Sequence, residues 1–113
     1  MMNYTTLNIG EETYKLRLNI RAMCEIEKKL GDNPINVLIA MEANTRLPNT
    51  QALVIILHEA LQTYNHGIKM EDTYNLLDKY LDEGHKYSEL LTLVMDVFKT
   101  SGIVNDGKEE NPN

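Results

Sequence analysis

The chain has 113 residues, a mass of 13.0 kDa and a net charge of -6, which predicts one domain with one small core and excludes a large two-domain enzyme. Ten of its 17 acidic side chains lie in residues 67–113, beside five basic ones. Because nucleic-acid binders cluster Lys and Arg against phosphates, we expect no nucleic-acid partner.

The cysteine content and the apolar runs bear on the compartment. Cys24 is the single cysteine, so no intramolecular disulfide can form, which fits a reducing environment. The longest apolar run, Ala52–Leu57, is far shorter than the ~20 residues that span a bilayer. The N-terminus also lacks a signal-peptide pattern. We therefore expect a soluble, cytoplasmic protein with no membrane partner.

The first residues alternate between apolar and polar side chains. Leu7 and Ile9 precede the loop 10–12, and Tyr14, Leu16 and Leu18 follow it at period two. This pattern predicts an antiparallel β-hairpin with one buried face. An isolated hairpin is marginal in water, so its apolar face must pack on helices or on another chain.

The spacing of the apolar residues then changes to the helical period, which predicts two helices. The first is predicted after the N-cap Asn19 and ends at Gly31, with an inner face at Ile20, Met23, Cys24, Glu27 and Leu30. Asn33 is the predicted cap of the second and Pro34 its first residue. The inner positions of the second helix are Ile35, Leu38, Ile39 and either Ala43 or Met41.

Three more helices follow. One runs from about Thr50 to Tyr64 and is apolar over more than half its circumference, which predicts a central helix covered on several sides. The next has an acidic first turn and an apolar stripe at Tyr74, Leu77, Tyr80 and Leu81. The inner positions of the last are Tyr87, Leu90, Leu91, Val94, Val97 and Phe98.

The predicted fold is mainly α: a small single domain of about five helices with an N-terminal β-hairpin, spanning residues 1–104. Residues 105–113 contain no apolar side chain and are predicted to form a disordered polar tail.

The chemistry-bearing residues do not form a recognisable catalytic or metal motif. Cys24 and the three histidines lack the i, i+3 or i, i+4 spacing that places metal ligands side by side. There is no Gly-x-Ser-x-Gly elbow and no Gly-rich phosphate loop. We therefore expect no enzyme activity, no cofactor and no metal, and protein binding is the remaining class. Six Met and six Tyr suit an adaptable apolar interface, although the same residues could fill a core.

One segment carries a family resemblance. Residues 14–34, YKLRLNIRAMCEIEKKLGDNP, resemble the N-terminal part of the tail assembly chaperones of long-tailed (siphovirus-like) bacteriophages and prophages. The similarity extends over about residues 4–104. The shared features further along are Leu57–Gln62, Gly67-Ile68, Glu71-Asp72 and Ser101-Gly102-Ile103.

The resemblance implies a partner and a place of action. Such chaperones bind and solubilise the tape-measure protein, a very long helical polypeptide, and are released as tail-tube protein polymerises around it. In many phages a frameshift yields a longer form that is thought to recruit the tube protein. This implies action in the bacterial host cytoplasm and absence from the mature virion.

A holdase of this kind would bind amphipathic helices in an apolar groove. We predict a groove between the central helix and the hairpin or first helix, and its candidate contacts are Leu16, Leu18, Met23, Met41, Leu53 and Leu57. Pairing of hairpin edges would give a homo-oligomer, either a dimer or an open helical array.

Two other functional classes remain open on the sequence. One is a small phage-encoded regulatory or adaptor protein with helix-turn-helix elements. The other is a head–tail structural component that stays in the particle.

Overall fold

The computed structural model describes residues 3–104, and the predicted polar tail lies outside them. Within these residues a hairpin is followed by five helices, which confirms the mainly α fold with an N-terminal hairpin. The elements are β1 (Thr5–Ile9), β2 (Glu12–Leu16), α1 (Ile20–Leu30), α2 (Ile35–Glu42), α3 (Thr50–Gln62), α4 (Met70–Asp82) and α5 (Tyr87–Thr100).

The hairpin folds as its alternation predicts. Its strands pair antiparallel, with Leu7 opposite Tyr14, and the inward face buries Leu7, Ile9 and Leu16. The turn uses Gly10 at φ +61°, a left-handed conformation that side chains disfavour. The amide N–H of Gly10 donates to Glu83 Oε1 at 2.9 Å, which fastens the turn to the end of α4.

Helix α3 is the centre of the domain, as its wide apolar surface predicts. It packs against β2, α1, α4 and α5. The chain leaving β2 is bonded to it directly: Arg17 N–H donates to the carbonyl of Ala60 at 3.1 Å, and Thr63 Oγ1 donates to the carbonyl of Arg17 at 2.8 Å. These bonds hold the hairpin and α3 together without an intervening gap.

The ends of α1 follow the sequence prediction, but its inner face does not. Asn19 Oδ1 accepts from Ala22 N–H at 2.8 Å, and Gly31 closes the helix at φ +75°. The buried residues are Ala22 and Ile26, whereas Ile20 is 74% exposed and Cys24 is exposed. The apolar arc of this helix is wider than the surface that α3 covers, so the core takes only one side of the arc.

Other helices also differ from prediction in the residues that face outward. Ile39, Tyr74 and Tyr87 were predicted to face inward, and all three are exposed. Thr73 is buried instead on α4, because its hydroxyl has a buried polar partner on α3. Leu77 and Tyr80 of the predicted stripe are buried, so hydrophobicity places most of the inner face of α4 correctly and misses Thr73.

That partner is His58, part of a buried polar network between α3 and α4. His58 Nδ1 lies 2.7 Å from Thr73 Oγ1, and His58 Nε2 lies 3.1 Å from Gln62 Nε2. The Gln62 amide also donates to the carbonyl of Ile68 at 2.8 Å. With Gln62 donating, this network assigns the neutral ring with its proton on Nδ1. Burial is the main cause that lowers the pKa of His58 below its usual 6.5.

The lowered pKa predicts a pH-dependent stability. Between pH 6.5 and the lower pKa of the folded state, the unfolded chain binds more protons, so the free energy of unfolding falls as pH falls. We expect a decline as the pH falls below about 7 in urea titrations of the native chain. His58→Gln should have a smaller slope over this window. An identical slope in both proteins would show that His58 is not its source.

Candidate protein-binding groove

An open cleft of about 430 Å³ lies beside α2. It is bounded by the C-terminal end of α1, one side of α2 and the connection 43–49 that leads into α3. Its lining is apolar at the floor and polar at the rim, and comprises Leu30, Asp32, Asn36, Val37, Ala40, Arg46, Leu47, Pro48, Asn49 and Ala52.

The sequence of α2 explains why apolar surface is left open here. The helix reads INVLIAME and is apolar on nearly every side, yet Leu38 is its one buried residue. Leu47, which lines the cleft, is 64% exposed, and Ile39, on α2 but outside the lining, is 56% exposed. A helix that is hydrophobic all round is normally enclosed by its own domain. In this chain part of α2 stays uncovered, which is typical of a surface that binds another molecule.

The connection 43–49 is fixed at both ends. Asn44 adopts a left-handed φ of +57°, and Thr45 N–H donates back to the carbonyl of Ala40 at 3.2 Å. At the other end, Asn49 Oδ1 accepts from Ala52 N–H at 2.8 Å and caps α3. Leu47 is thereby carried past α2 as one wall of the groove.

Opposite charges border the two ends of α2. Asp32 precedes the helix, and its Oδ1 accepts from Asn33 N–H at 2.8 Å and from Asn36 Nδ2 at 2.9 Å. Arg46 follows the helix, in the connection. An apolar floor with a polar rim is the usual anatomy of a protein-binding surface.

The structure separates the six predicted contact residues into two groups. Leu16, Leu18, Leu53 and Leu57 are buried core residues with at most 1% exposure, so the domain as folded does not present them to a partner. These four leucines therefore do not form the groove predicted between α3 and the hairpin or α1. A cleft does lie between α1 and α3, but its lining is polar and includes none of the six predicted contacts.

The remaining two predicted contacts keep some exposure. Met23 and Met41 are half-buried and lie against the edge of the core. The groove residues Val37 and Leu47 were not among the predicted contacts, although the all-round hydrophobicity of the short second helix was a signal for them.

A second, polar cleft of about 340 Å³ lies between α1 and α3. It is built around an ion pair in which Lys29 Nζ lies 2.6 Å from Glu59 Oε2. The Glu59 side chain is only 6% exposed, whereas that of Lys29 is 39% exposed. The pair therefore neutralises a buried carboxylate and joins the two helices.

A third polar cluster fixes the start of α5. The His85 ring stacks on Tyr80 with centroids 3.9 Å apart, and His85 Nδ1 lies 2.8 Å from Glu89 Oε1. Glu89 also accepts from Lys86 N–H at 2.9 Å, and this bond is the main cause that lowers the pKa of Glu89. Burial, followed by the charge of Glu89, raises the pKa of Tyr80. These contacts cap α5.

Within residues 3–104, no three side chains of His, Cys, Asp or Glu come together in a way that could hold a metal ion. Over the same range, every helix is too short or too polar to cross a bilayer.

Fold and site together define a small, mainly helical domain with an open apolar groove on its surface. The chain belongs to a family of unknown function (DUF6096), whose sequence model matches residues 2–112. No curated protein and no solved structure matches the chain.

Proposed function

We propose that this protein is a tail assembly chaperone that binds and solubilises the phage tape-measure protein during tail assembly. The observation that carries the proposal is the exposed apolar groove formed by α2 and the connection 43–49. The resemblance of residues 4–104 to tail assembly chaperones supplies the identity of the partner. The proposal requires binding without catalysis and involves no cofactor.

The dimensions of the groove suit a weak, repeated contact. An eight-residue helix such as α2 is about 12 Å long, which matches about two turns of a bound helix. Each copy would therefore cover only a few apolar side chains of its partner. Several copies along a long helical polypeptide would cover it fully, and each copy could still dissociate when tube protein arrives. The net charge of -6 would keep such an assembly soluble.

The same proposal fixes where the protein acts. It would work in the bacterial host cytoplasm, leave when the tail tube forms, and be absent from the mature virion. A frameshifted longer form would provide contact with the tail-tube protein. Mass spectrometry of purified virions separates this proposal from a head–tail structural component, since recovery of the protein in virions at stoichiometric amounts would contradict it.

Co-expression tests the proposal with a matched pair of variants. The chain is produced with the long, helix-rich protein encoded just downstream, and soluble yield and co-purification are measured. We expect several copies of the chain to co-purify with that protein. Leu47→Asp should reduce co-purification at least several-fold, because it places a charge on the apolar wall of the groove.

Tyr74→Asp is the control for this experiment. Tyr74 is 46% exposed on α4 and does not line the groove, so this variant should bind as the native chain does. Both variants should keep their circular dichroism spectrum. If the native chain leaves the downstream protein insoluble and unbound, the proposed function is wrong. If Leu47→Asp binds normally, the groove is not the binding site.

A further inference from the structure

The middle of the connection between α3 and α4, residues 63–69, is fastened to α3 by the side chain of Gln62. Its Oε1 accepts from Gly67 N–H at 3.0 Å, and its Nε2 donates to the carbonyl of Ile68 at 2.8 Å. Gln62 is the last residue of α3. The two bonds therefore tie the connection to the end of that helix.

These two bonds allow only one orientation of the Gln62 amide. A flipped amide would point its NH2 group at the N–H of Gly67 and its oxygen at the carbonyl of Ile68. The second N–H of the amide is left for His58, whose Nε2 lies 3.1 Å away. His58 Nε2 must therefore act as an acceptor, which requires a ring without a proton on this nitrogen.

The His58 ring is itself fixed in place. It is 4% exposed, and its Nδ1 lies 2.7 Å from the hydroxyl of Thr73, a fully buried residue of α4. Turning the ring over would place carbon atoms against both polar partners. The ring cannot turn away from the Gln62 amide, so a proton on Nε2 would bring two donors together.

We propose that His58 and Gln62 form a pH-sensitive switch on this connection. When Nε2 takes up a proton, the Gln62 amide leaves, and Gly67 and Ile68 lose their bonds to α3. Gln62 also lines the polar cleft between α1 and α3, which gives its side chain a solvated space to enter. The bond to Thr73 survives, because Nδ1 donates in both states of the ring. Acid therefore loosens the connection while α4 stays attached to α3.

Charged groups around His58 act in both directions, and burial outweighs them. Glu59, the next residue on α3, favours the protonated ring, whereas Lys29 of α1, its ion-pair partner, opposes it. Burial is the largest cause and lowers the pKa of His58. The other titratable groups in or beside the connection are exposed and comprise Tyr64, His66, Lys69, Glu71 and Asp72. The His58 ring is thus neutral at about pH 7 and takes up its proton as the pH falls below 6.5.

A pH titration of the full, isotope-labelled chain by NMR tests the switch. The ring signals of His58 report the uptake of the proton, and the exchange protection of the Gly67 amide and of the Gln62 side-chain amide reports the state of the connection. We expect both protection factors, corrected for the intrinsic pH dependence of exchange, to fall at least about tenfold with the midpoint of His58. The Gly31 amide, which donates to the carbonyl of Glu27 in α1, should keep its protection.

Two variants identify the group that titrates. His58→Gln should abolish the pH dependence of the Gly67 amide, because residue 58 then no longer takes up a proton. His66→Gln is the matched control: His66 is exposed and directly precedes Gly67, so its removal should leave the response in place. A response that persists in His58→Gln, or that vanishes in His66→Gln, would assign the effect to the exposed ring and overturn the proposal.

Gln62→Glu tests the contact between the two side chains. Its carboxylate can accept from Nε2–H of the protonated ring and from Gly67 N–H at the same time. We therefore expect His58 to titrate at least about one pH unit higher than in the native chain, and Gly67 to stay protected. An unchanged His58 midpoint would contradict the coupling through Gln62.

Circular dichroism recorded along the same titration separates local from global change. We expect the helical signal to persist after His58 has taken up its proton. The proposal is overturned if His58 stays neutral until the whole chain unfolds, or if it titrates while the Gly67 and Gln62 amides remain protected. None of the residues in the switch lines the groove beside α2, so these outcomes do not depend on the proposed function.

Discussion

Leu57→Ala is expected to lower the free energy of unfolding by about 2–5 kcal/mol, because it opens a cavity in the centre of the domain. Leu57 is fully buried on α3, where side chains of the surrounding elements enclose it. This loss is a large part of the stability of a domain of this size. Urea titration monitored by circular dichroism measures it.

Leu47→Ala is the matched control, since the same atoms are removed from a side chain that is 64% exposed. We expect a change within about 0.5 kcal/mol. Because both variants remove the same atoms, the difference between their free energies of unfolding distinguishes a core leucine from a groove leucine. Similar losses at both positions would mean that Leu47 packs as a core residue and that the groove is closed in solution.

Lys29→Met is expected to destabilise the domain by about 1–3 kcal/mol at pH 7. The substitution leaves the Glu59 carboxylate buried without its cation, and an uncompensated buried charge is costly. The range stays below that of a fully enclosed pair because the Lys29 side chain is 39% exposed and reaches water.

Glu59→Gln is the companion variant, and its cost should be below about 1 kcal/mol. It removes the buried charge and leaves an ammonium that solvent can hydrate. Lys29→Met therefore leaves a negative charge that is buried, whereas Glu59→Gln leaves a positive charge that reaches water. Equal losses would show that the pair acts through packing or hydrogen bonding alone.

Most of the architecture could be predicted because local signals agree with the tertiary fold. Alternation gives the hairpin, and the start and end of α1 are set by Asn19 and Gly31. The central position of α3 follows from an apolar surface too wide for a peripheral helix.

The rotation of the peripheral helices could not be predicted in the same way. The apolar residues of α1 extend beyond its contact with the core, since Ile20 and Cys24 are exposed, so hydrophobicity is compatible with more than one rotation. Burial of Thr73 on α4 depends on a hydrogen bond to His58, fifteen residues earlier in the chain. Such long-range polar partners leave no periodic pattern in the sequence.

Leu53 and Leu57 were predicted as groove contacts for a related reason. Leu53 and Leu57 are hydrophobic enough either to bind a partner or to fill the core. Only the packing of the hairpin on α3 shows that they belong to the core. The apolar residues beside α2, such as Val37 and Leu47, are equally compatible with both roles. They become a surface because a short helix and the connection after it are left partly uncovered.

Hydrogen exchange of the complex with the co-expressed downstream protein tests the central claim most directly. Amide exchange rates of the chain are compared between the free and bound states by mass spectrometry. We predict slower exchange in α2 and in the connection 43–49, with little change in the hairpin and α4. Protection confined to the hairpin or α4, with α2 unchanged, would contradict the assignment of the groove beside α2 as the binding site.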